Sequence, residues 1–282
     1  ISLLLPADYN RLVEPFVGGG AIFLSIQPNK LIINDLNQEL MTAYRVIKDT
    51  PKPLINLLQE YEKKHNQEFY EQLKQKDPKN LTHLEIATRF IYLNKTGYNG
   101  LYRVNSRGIF NVPFGQKAKI KLFERNNILA VSDYLYVADC QILDQDYRKL
   151  LSLIKENDFL FVDPPYDSEN SSGFSSYTTN KFTRQNQQEL AQFLKECEKK
   201  GAKWLLTNHA TEFIKELYCD YWQFTFKAQR FINCQGDKRI GEAQEIFIGS
   251  YDLTEQQKKE LEFYQWFDTI QVTNVDLSRL VD

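Results

Sequence analysis

Short apolar runs along this chain are separated first by helical, then by irregular stretches, a pattern that predicts an α/β sheet interrupted by a helical segment. Arg11-Leu12-Val13-Glu14-Pro15-Phe16 reads as a short strand, Val17-Gly18-Gly19-Gly20 as a glycine-rich turn, and Ala21-Ile22-Phe23-Leu24 as the start of a helix. Leu31-Ile32-Ile33-Asn34-Asp35 is a second buried strand ending in an acid. From about Thr50 the pattern changes. Pro51 to His65, Gln67 to Lys76 and Thr82 to Thr96 carry apolar residues at helical spacing with charged opposite faces, and no buried strand separates them. Gly97 to Gly115 is irregular, and its glycines and Asn99-Gly100 pair predict a tight hairpin. Strand signals resume at Tyr136 to Leu143, Asp158 to Val162 and Lys203 to Thr207, with helices at Thr183 to Lys200 and Thr211 to Cys219. Trp222 to Phe231 and Ala243 to Tyr251 are expected to form an antiparallel edge hairpin on an otherwise parallel sheet. The organisation expected is an α/β domain from residues 1–49 and 135–252, a helical insertion at 50–134 and a tail at 253–282, with one helix at Glu255 to Trp266.

Two strand ends carry the chemistry. The apolar run Asp158 to Val162 stops at Asp163 because Pro164 and Pro165 cannot donate ladder hydrogen bonds. A carboxylate, a backbone carbonyl and the Tyr166 ring are thereby presented together. Asp163 and the Pro164 carbonyl can accept both hydrogens of an exocyclic amine while Tyr166 stacks on the ring that bears it. Near the start of the chain, strand, glycine loop, helix and acid-ended strand form the layout of a nucleoside-binding half, in which Asp35 accepts ribose hydroxyls. The six-residue dinucleotide fingerprint is absent because position 23 is Phe, which favours a ligand without a pyrophosphate. Ser168 to Thr179, rich in Ser, Asn and Gly, is a candidate lid.

Composition removes several alternatives. Four cysteines without a C-x-x-C pair and three scattered histidines argue against a zinc site or a disulfide framework and suit a reducing cytosol. No apolar run reaches membrane-spanning length. With a net charge of −2, any affinity for nucleic acid must be local. Between Gly97 and Arg125 the bases Arg103, Arg107, Lys117, Lys119, Lys121 and Arg125 face one acid, Glu124, interleaved with Tyr98, Tyr102, Phe110 and Phe114. That is the expected footprint of a nucleic-acid reader. The chain begins at Ile1, in an apolar segment, and reads as a piece of a longer protein.

Glu14-Pro15-Phe16-Val17-Gly18-Gly19-Gly20 together with Asp163-Pro164-Pro165-Tyr166 resembles the S-adenosylmethionine-dependent DNA adenine-N6 methyltransferases. The hairpin narrows the resemblance to the Dam type, which targets GATC. The likeness runs from Ile1 to about Tyr251 and implies a Rossmann-like methyltransferase sheet with a helical target-recognition insertion. It also implies S-adenosylmethionine as cofactor and double-stranded DNA as partner, with the target adenine flipped out of the duplex. Glu14, Phe16, Gly18, Gly20, Asp35, Asp146 and Tyr147 would line the cofactor pocket, although Gln145 stands where many members have Gly. Asp163, Pro164, Pro165 and Tyr166 would be catalytic, and no metal is implied. Tyr98, Asn99, Leu101, Arg103, Asn105 and Pro113 match DNA-contacting positions, and Ser175, Tyr177 and Phe182 match the segment after the catalytic motif. A Lys-Trp-x-Gly-Gly-Lys-like motif that opens the family has no counterpart before Ile1. Other readings are an RNA or protein methyltransferase on the same fold, for which Asn would be more usual than Asp163, and a DNA-binding relic without activity.

Overall fold

The computed structural model describes residues 2–105, 109–116, 119–168, 182–229 and 242–271. Seven strands make one sheet: β1 (Arg11–Glu14), β2 (Lys30–Asn34), β3 (Asp139–Leu143), β4 (Asp158–Val162), β5 (Lys203–His209), β6 (Trp222–Gln229) and β7 (Glu242–Gly249). Their spatial order is β3-β2-β1-β4-β5-β7-β6. β1 to β5 are parallel, while β7 runs antiparallel to both β5 and β6. The Rossmann-like sheet with an antiparallel edge hairpin is therefore the observed architecture. β1 stops at Glu14, two residues before the expected end, because Pro15 offers no N–H to continue the ladder.

Alternation along the central strands fills two cores. Val13, Ile32, Leu160, Val162, Trp204 and Leu206 face one layer of helix; Leu12, Leu31, Ile33, Phe159, Phe161 and Leu205 face the other. Both faces are covered, so these strands read as unbroken apolar runs. The first face is closed by α7 (Arg184–Lys199), α8 (Glu212–Leu217) and a 3-10 turn at Tyr147–Ser152. The second is closed by α1 (Ala21–Ile26), α2 (Gln38–Asp49) and α6 (Arg125–Val137). Tyr136 and Val137, expected in a strand, end α6 with 79% and 85% of their surface exposed; β3 begins only at Asp139. Two adjacent apolar side chains with no sheet face to fill can remain helical.

The residues between α2 and α6 pack a third core. α3 (Pro51–Lys63), α4 (Gln67–Gln75) and α5 (His83–Thr96) contribute Leu54, Leu58, Tyr61, Tyr70, Leu73, Ala87, Phe90 and Leu93. α2 serves two cores: Met41 and Tyr44 turn toward the sheet, Ala43 and Val46 toward the insertion. Arg89, 2% exposed, pairs with Glu39 of α2 at 2.5 Å and donates from Nε to the Leu73 carbonyl at 2.8 Å. This charged link joins three helices.

The chain from Gly97 to Gly115 forms an antiparallel hairpin, with bridges Gly97↔Phe114 and Val104↔Phe110. Its tip is not the Asn-Gly pair. Asn99 and Gly100 both take left-handed φ (54° and 65°) in a turn directly after α5. The two arms close further on, where the Asn105 N–H donates to Ile109 O and Asn105 Oδ1 accepts from the Ile109 N–H. The last helix, α9 (Glu255–Gln271), is longer than expected, and Gln257 donates to the carbonyls of Leu3 and Leu5. Among the described residues no helix is long and apolar enough to cross a membrane.

Candidate active site

Strand order reverses between β1 and β4, and in open parallel sheets such a reversal opens a crevice at the carboxyl ends of the strands. Glu14, the glycine loop, Asp35 and Asp163-Pro164-Pro165-Tyr166 all lie at those ends. At the opposite edge Arg11 clamps Asp158 with paired hydrogen bonds of 3.1 and 2.5 Å, a stabilising link far from the crevice.

The glycine loop is shaped by both conformation and packing. Gly18 and Gly20 take φ of +48° and +72°, where a side chain is strained. A Cβ on Gly20 would also strike Phe23 Cε1 at 2.4 Å. Gly19 has neither constraint: a Cβ there would meet nothing within 4 Å. Among the described residues nothing crowds Gly19, so the space beside it is open to a ligand. Asp35 braces the loop. Its Oδ2 accepts from Gly18 N–H at 3.1 Å and its Oδ1 from Asn37 N–H at 2.9 Å, while burial pushes its carboxyl upward.

Glu14 is 2% exposed, and its Oε1 has no hydrogen-bond partner among the described residues. Burial, and secondarily the Asp163 charge, push the Glu14 carboxyl up to about 8 despite a hydrogen bond from the Phe23 N–H. Phe16 packs between Tyr147 and Phe182, with ring centroids at 5.2 and 6.1 Å. Asp146 accepts from the backbone and side chain of Arg148, which holds it below the usual carboxylate range. An orphaned acid oxygen, an open glycine cradle, a strand-end carboxylate and an aromatic wall fit a cationic nucleoside such as S-adenosylmethionine.

Asp163 stands exposed at the end of β4, and its Oδ1 accepts from the Thr207 hydroxyl at 2.6 Å. That bond orients the carboxylate. The Tyr166 hydroxyl also bonds with Thr207 and Asp163; burial, then the Asp163 charge, push the phenol upward. Among the described residues no donor reaches the Pro164 carbonyl. The Tyr166 ring meets His209 edge-on at 5.0 Å. A cluster that the sequence did not reveal lies underneath: Asp167, Gln187 and Asn208 are all buried, as is Thr211. Asn34 is a further omission. Its Nδ2 donates to the carbonyls of Pro15 and Gln145 at 2.9 Å, and its Oδ1 accepts from Gln145 N–H, lacing three strand ends together. The signal was present: Asn34 is polar inside an apolar run.

The hairpin residues divide. Tyr98 is 48% exposed, and Asn99 and Pro113 are also exposed. Arg103 is half-buried, donating from Nε to Asn111 Oδ1 at 2.9 Å across the hairpin. Leu101 packs against the insertion core. The aromatic interleaving expected of a reader is mostly core: Tyr102 and Phe110 are 9% and 2% exposed, and Phe114 packs on His65 and Tyr70. Lys121 pairs with Glu124, and Lys119 is exposed. Arg107, Lys117, Ser175, Tyr177 and most of the candidate lid lie outside the described residues. Among the described residues no cluster of three His, Cys, Asp or Glu could hold a metal ion.

Residues 1–232 match the model of the D12 class N6 adenine-specific DNA methyltransferases. The chain belongs to this family. It is 35% identical over 256 residues to the type II methyltransferase M1.LlaDCHI of Lactococcus lactis subsp. cremoris, covering 89% of this chain and 90% of that protein. Type II methyltransferase M.MjaIII of Methanocaldococcus jannaschii is 37% identical over 264 residues, covering 88% and 91%. The DNA adenine methylase of Escherichia coli K12 is 29% identical over 231 residues, covering 81% and 82%. This D12-class chain is thus an adenine-specific DNA methyltransferase, of a family that generally uses S-adenosylmethionine.

Proposed function

We propose that this enzyme binds double-stranded DNA through the 97–115 hairpin, flips an adenine into the crevice between β1 and β4, and methylates its N6 within GATC. The observation that carries the reading is the grouping of Asp163, the Pro164 carbonyl (unpartnered among the described residues) and Tyr166 at one strand end, beside the strand β1 that leads into the glycine loop. The target amine is unreachable inside the stacked duplex, so flipping is required. Tyr166 stacks on the base. Asp163, oriented by Thr207, and the Pro164 carbonyl accept the two amine hydrogens, which draws the nitrogen lone pair out of conjugation with the ring. S-adenosylmethionine, when bound, supplies an activated methyl group on a sulfonium leaving group. The chain's own contribution is therefore positioning and electrostatics. Asp163 is also the acceptor at hand for the proton that becomes acidic once the methyl has arrived. Gly18, Gly20, Phe16, Tyr147, Asp146, Glu14 and Asp35 hold the cofactor, with Asp35 taking the ribose hydroxyls.

In this reading residues 1–49 and 135–252 form the catalytic domain and 50–134 the target-recognition domain. Similarity to type II methyltransferases favours a restriction-modification setting in a prokaryotic cytoplasm, and the hairpin's match to the Dam type favours GATC. The test is methylated-base mapping of duplex DNA incubated with the protein and S-adenosylmethionine. N6-methyladenine confined to GATC is expected. Adenine methylation at another sequence would remove the GATC assignment, and methylation of RNA alone would remove the duplex one.

A further inference from the structure

We infer that Gln187 and Asn208 form a buried amide relay that positions the catalytic peptide, and that methyl transfer depends on it. The inference rests on the proposed roles of Asp163, the Pro164 carbonyl and Tyr166. Residues 163–168 have no regular structure and contain two prolines, so few of their backbone groups can be tied down. Two side chains tie this stretch down on either side of Tyr166. Gln187 Nε2 donates to the Pro165 carbonyl at 2.9 Å, and Asn208 Oδ1 accepts from the Asp167 N–H at 2.9 Å. These anchors bracket Tyr166 and follow directly on the Pro164 carbonyl. The two amides are joined to each other, Asn208 Nδ2 donating to Gln187 Oε1 at 3.2 Å, and both residues are 0% exposed.

The relay has one polarity. A carbonyl only accepts, so Gln187 must turn its amino group to Pro165. Its oxygen then faces Asn208, whose amino group must meet it. Asn208 Oδ1 is thereby turned toward the N–H groups of Asp167 and His209, the latter at 2.8 Å. Flipping either amide would set like groups against each other in a site closed to water, a costly arrangement. The peptide beyond is held on the same side. Asp167 takes a two-pronged bond from Arg184 at 3.2 Å and one from Thr211 at 2.8 Å, and its carbonyl accepts from His209 Nδ1. The His209 ring that abuts Tyr166 is thus oriented by the anchored strand end itself. Plain loop packing would need apolar contacts only; a buried, directional polar chain under two catalytic groups specifies their position.

The test uses Gln187→Met, which keeps the stem and removes the hydrogen bonds, and Gln187→Glu. Single-turnover methyl transfer, KM for DNA, cofactor Kd by calorimetry and Tm are measured on the full chain. Gln187→Met is expected to slow transfer by about 10²-fold, the typical cost of displacing reacting groups by about 1 Å, while KM and Kd stay near wild type. With Asn208→Leu added, the loss should not exceed that of the worse single variant, since both break one device. Wild-type transfer in folded Gln187→Met overturns the inference. Should Gln187→Met not fold, Gln187→Glu decides. Its carboxyl donates to Pro165 only when protonated, so its rate relative to wild type should fall with rising pH at temperatures well below the Tm measured at each pH, and a flat ratio overturns the inference. Asp163→Ala run in parallel separates the two failures: near-normal turnover there would overturn the roles assigned to the motif, not the relay alone.

Discussion

The crevice at the carboxyl ends of β1 and β4 and the hairpin after α5 are built on opposite plans. In the crevice the strand ends are placed by residues distant in sequence: Thr207 orients Asp163, Gln187 holds the Pro165 carbonyl, and Asn34 laces Pro15 to Gln145. In the hairpin the bonds are short-range, Arg103 to Asn111 and Asn105 to Ile109, and the whole stands on the insertion core through Tyr102, Phe110 and Val112. A site for bond-making needs fixed positions, and a parallel sheet with both faces packed supplies them. The reading surface proposed for the hairpin would need reach and exposed donors, which a short ladder with an exposed flank can supply.

The contrast is sharpest at its extremes. Asp163→Ala should lower methyl transfer by about 10³-fold or more with DNA affinity nearly unchanged, because the carboxylate acts on the amine and not on phosphates. Single-turnover kinetics beside a binding titration would read it, and near-normal transfer would remove Asp163 from the mechanism. Arg89→Met should cost roughly 3–5 kcal/mol of stability, the usual penalty for leaving one member of a buried ion pair alone. Denaturant unfolding measures this; a loss under about 1 kcal/mol, the scale of an exposed pair, would mean that the insertion does not lean on the α2 link.

Asp35→Ala should weaken S-adenosylmethionine binding by roughly 1.5–3 kcal/mol, through lost charge-assisted bonds and a slackened Gly18. Unchanged affinity in calorimetry would reduce Asp35 to a brace for the loop. On the other side of the comparison, Arg103→Ala should relax discrimination at one guanine of GATC by about 1–3 kcal/mol, as expected when a bidentate reader is lost. The tether to Asn111 takes Nε and, at 3.4 Å, one hydrogen of Nη2, and leaves the Nη1 donors and the second Nη2 hydrogen. Methylation of GATC sites each altered at one base pair tests this, and an equal drop on every site would make Arg103 a backbone contact.

The remaining effect depends on pH and concerns Glu14. Its carboxyl sits near 8 in the folded chain against an ordinary 4.5, so folding takes up a proton between those values. The contribution is therefore favourable below about pH 4.5 and is lost as pH rises through about 8. Thermal melts of the cofactor-free protein across this window should show Glu14→Gln gaining stability relative to wild type as pH rises. A constant difference would mean that Glu14 is not held neutral.

Much of this was legible because local chemistry leaves local marks. Pro164 and Pro165 end a strand wherever it lies in the fold, and Asp163 and Tyr166 are presented as a consequence. The left-handed Gly18 and Gly20 similarly announce a turn. The buried Gln187–Asn208 pair beside Asp163-Pro164-Pro165-Tyr166 left no such mark. Gln187 belongs to Arg184-Gln185-Asn186-Gln187-Gln188, which reads as a solvated first turn of α7, yet the side chain is wholly buried. Tyr102 and Phe110 erred the other way, reading as presented rings and proving to be core.

By itself the sequence determined most of the elements, the mostly parallel sense of the sheet implied by apolar runs with helical crossovers, and the acids at strand ends, since these follow from backbone sterics and the period of the apolar pattern. Only the tertiary structure decided which polar side chains turn inward, which aromatic rings the hairpin spends on its own core, and that Glu14 rather than Asp163 becomes the buried acid. Those outcomes depend on what lies across the sheet or over the helix, and burial is a property of that neighbour as much as of the residue.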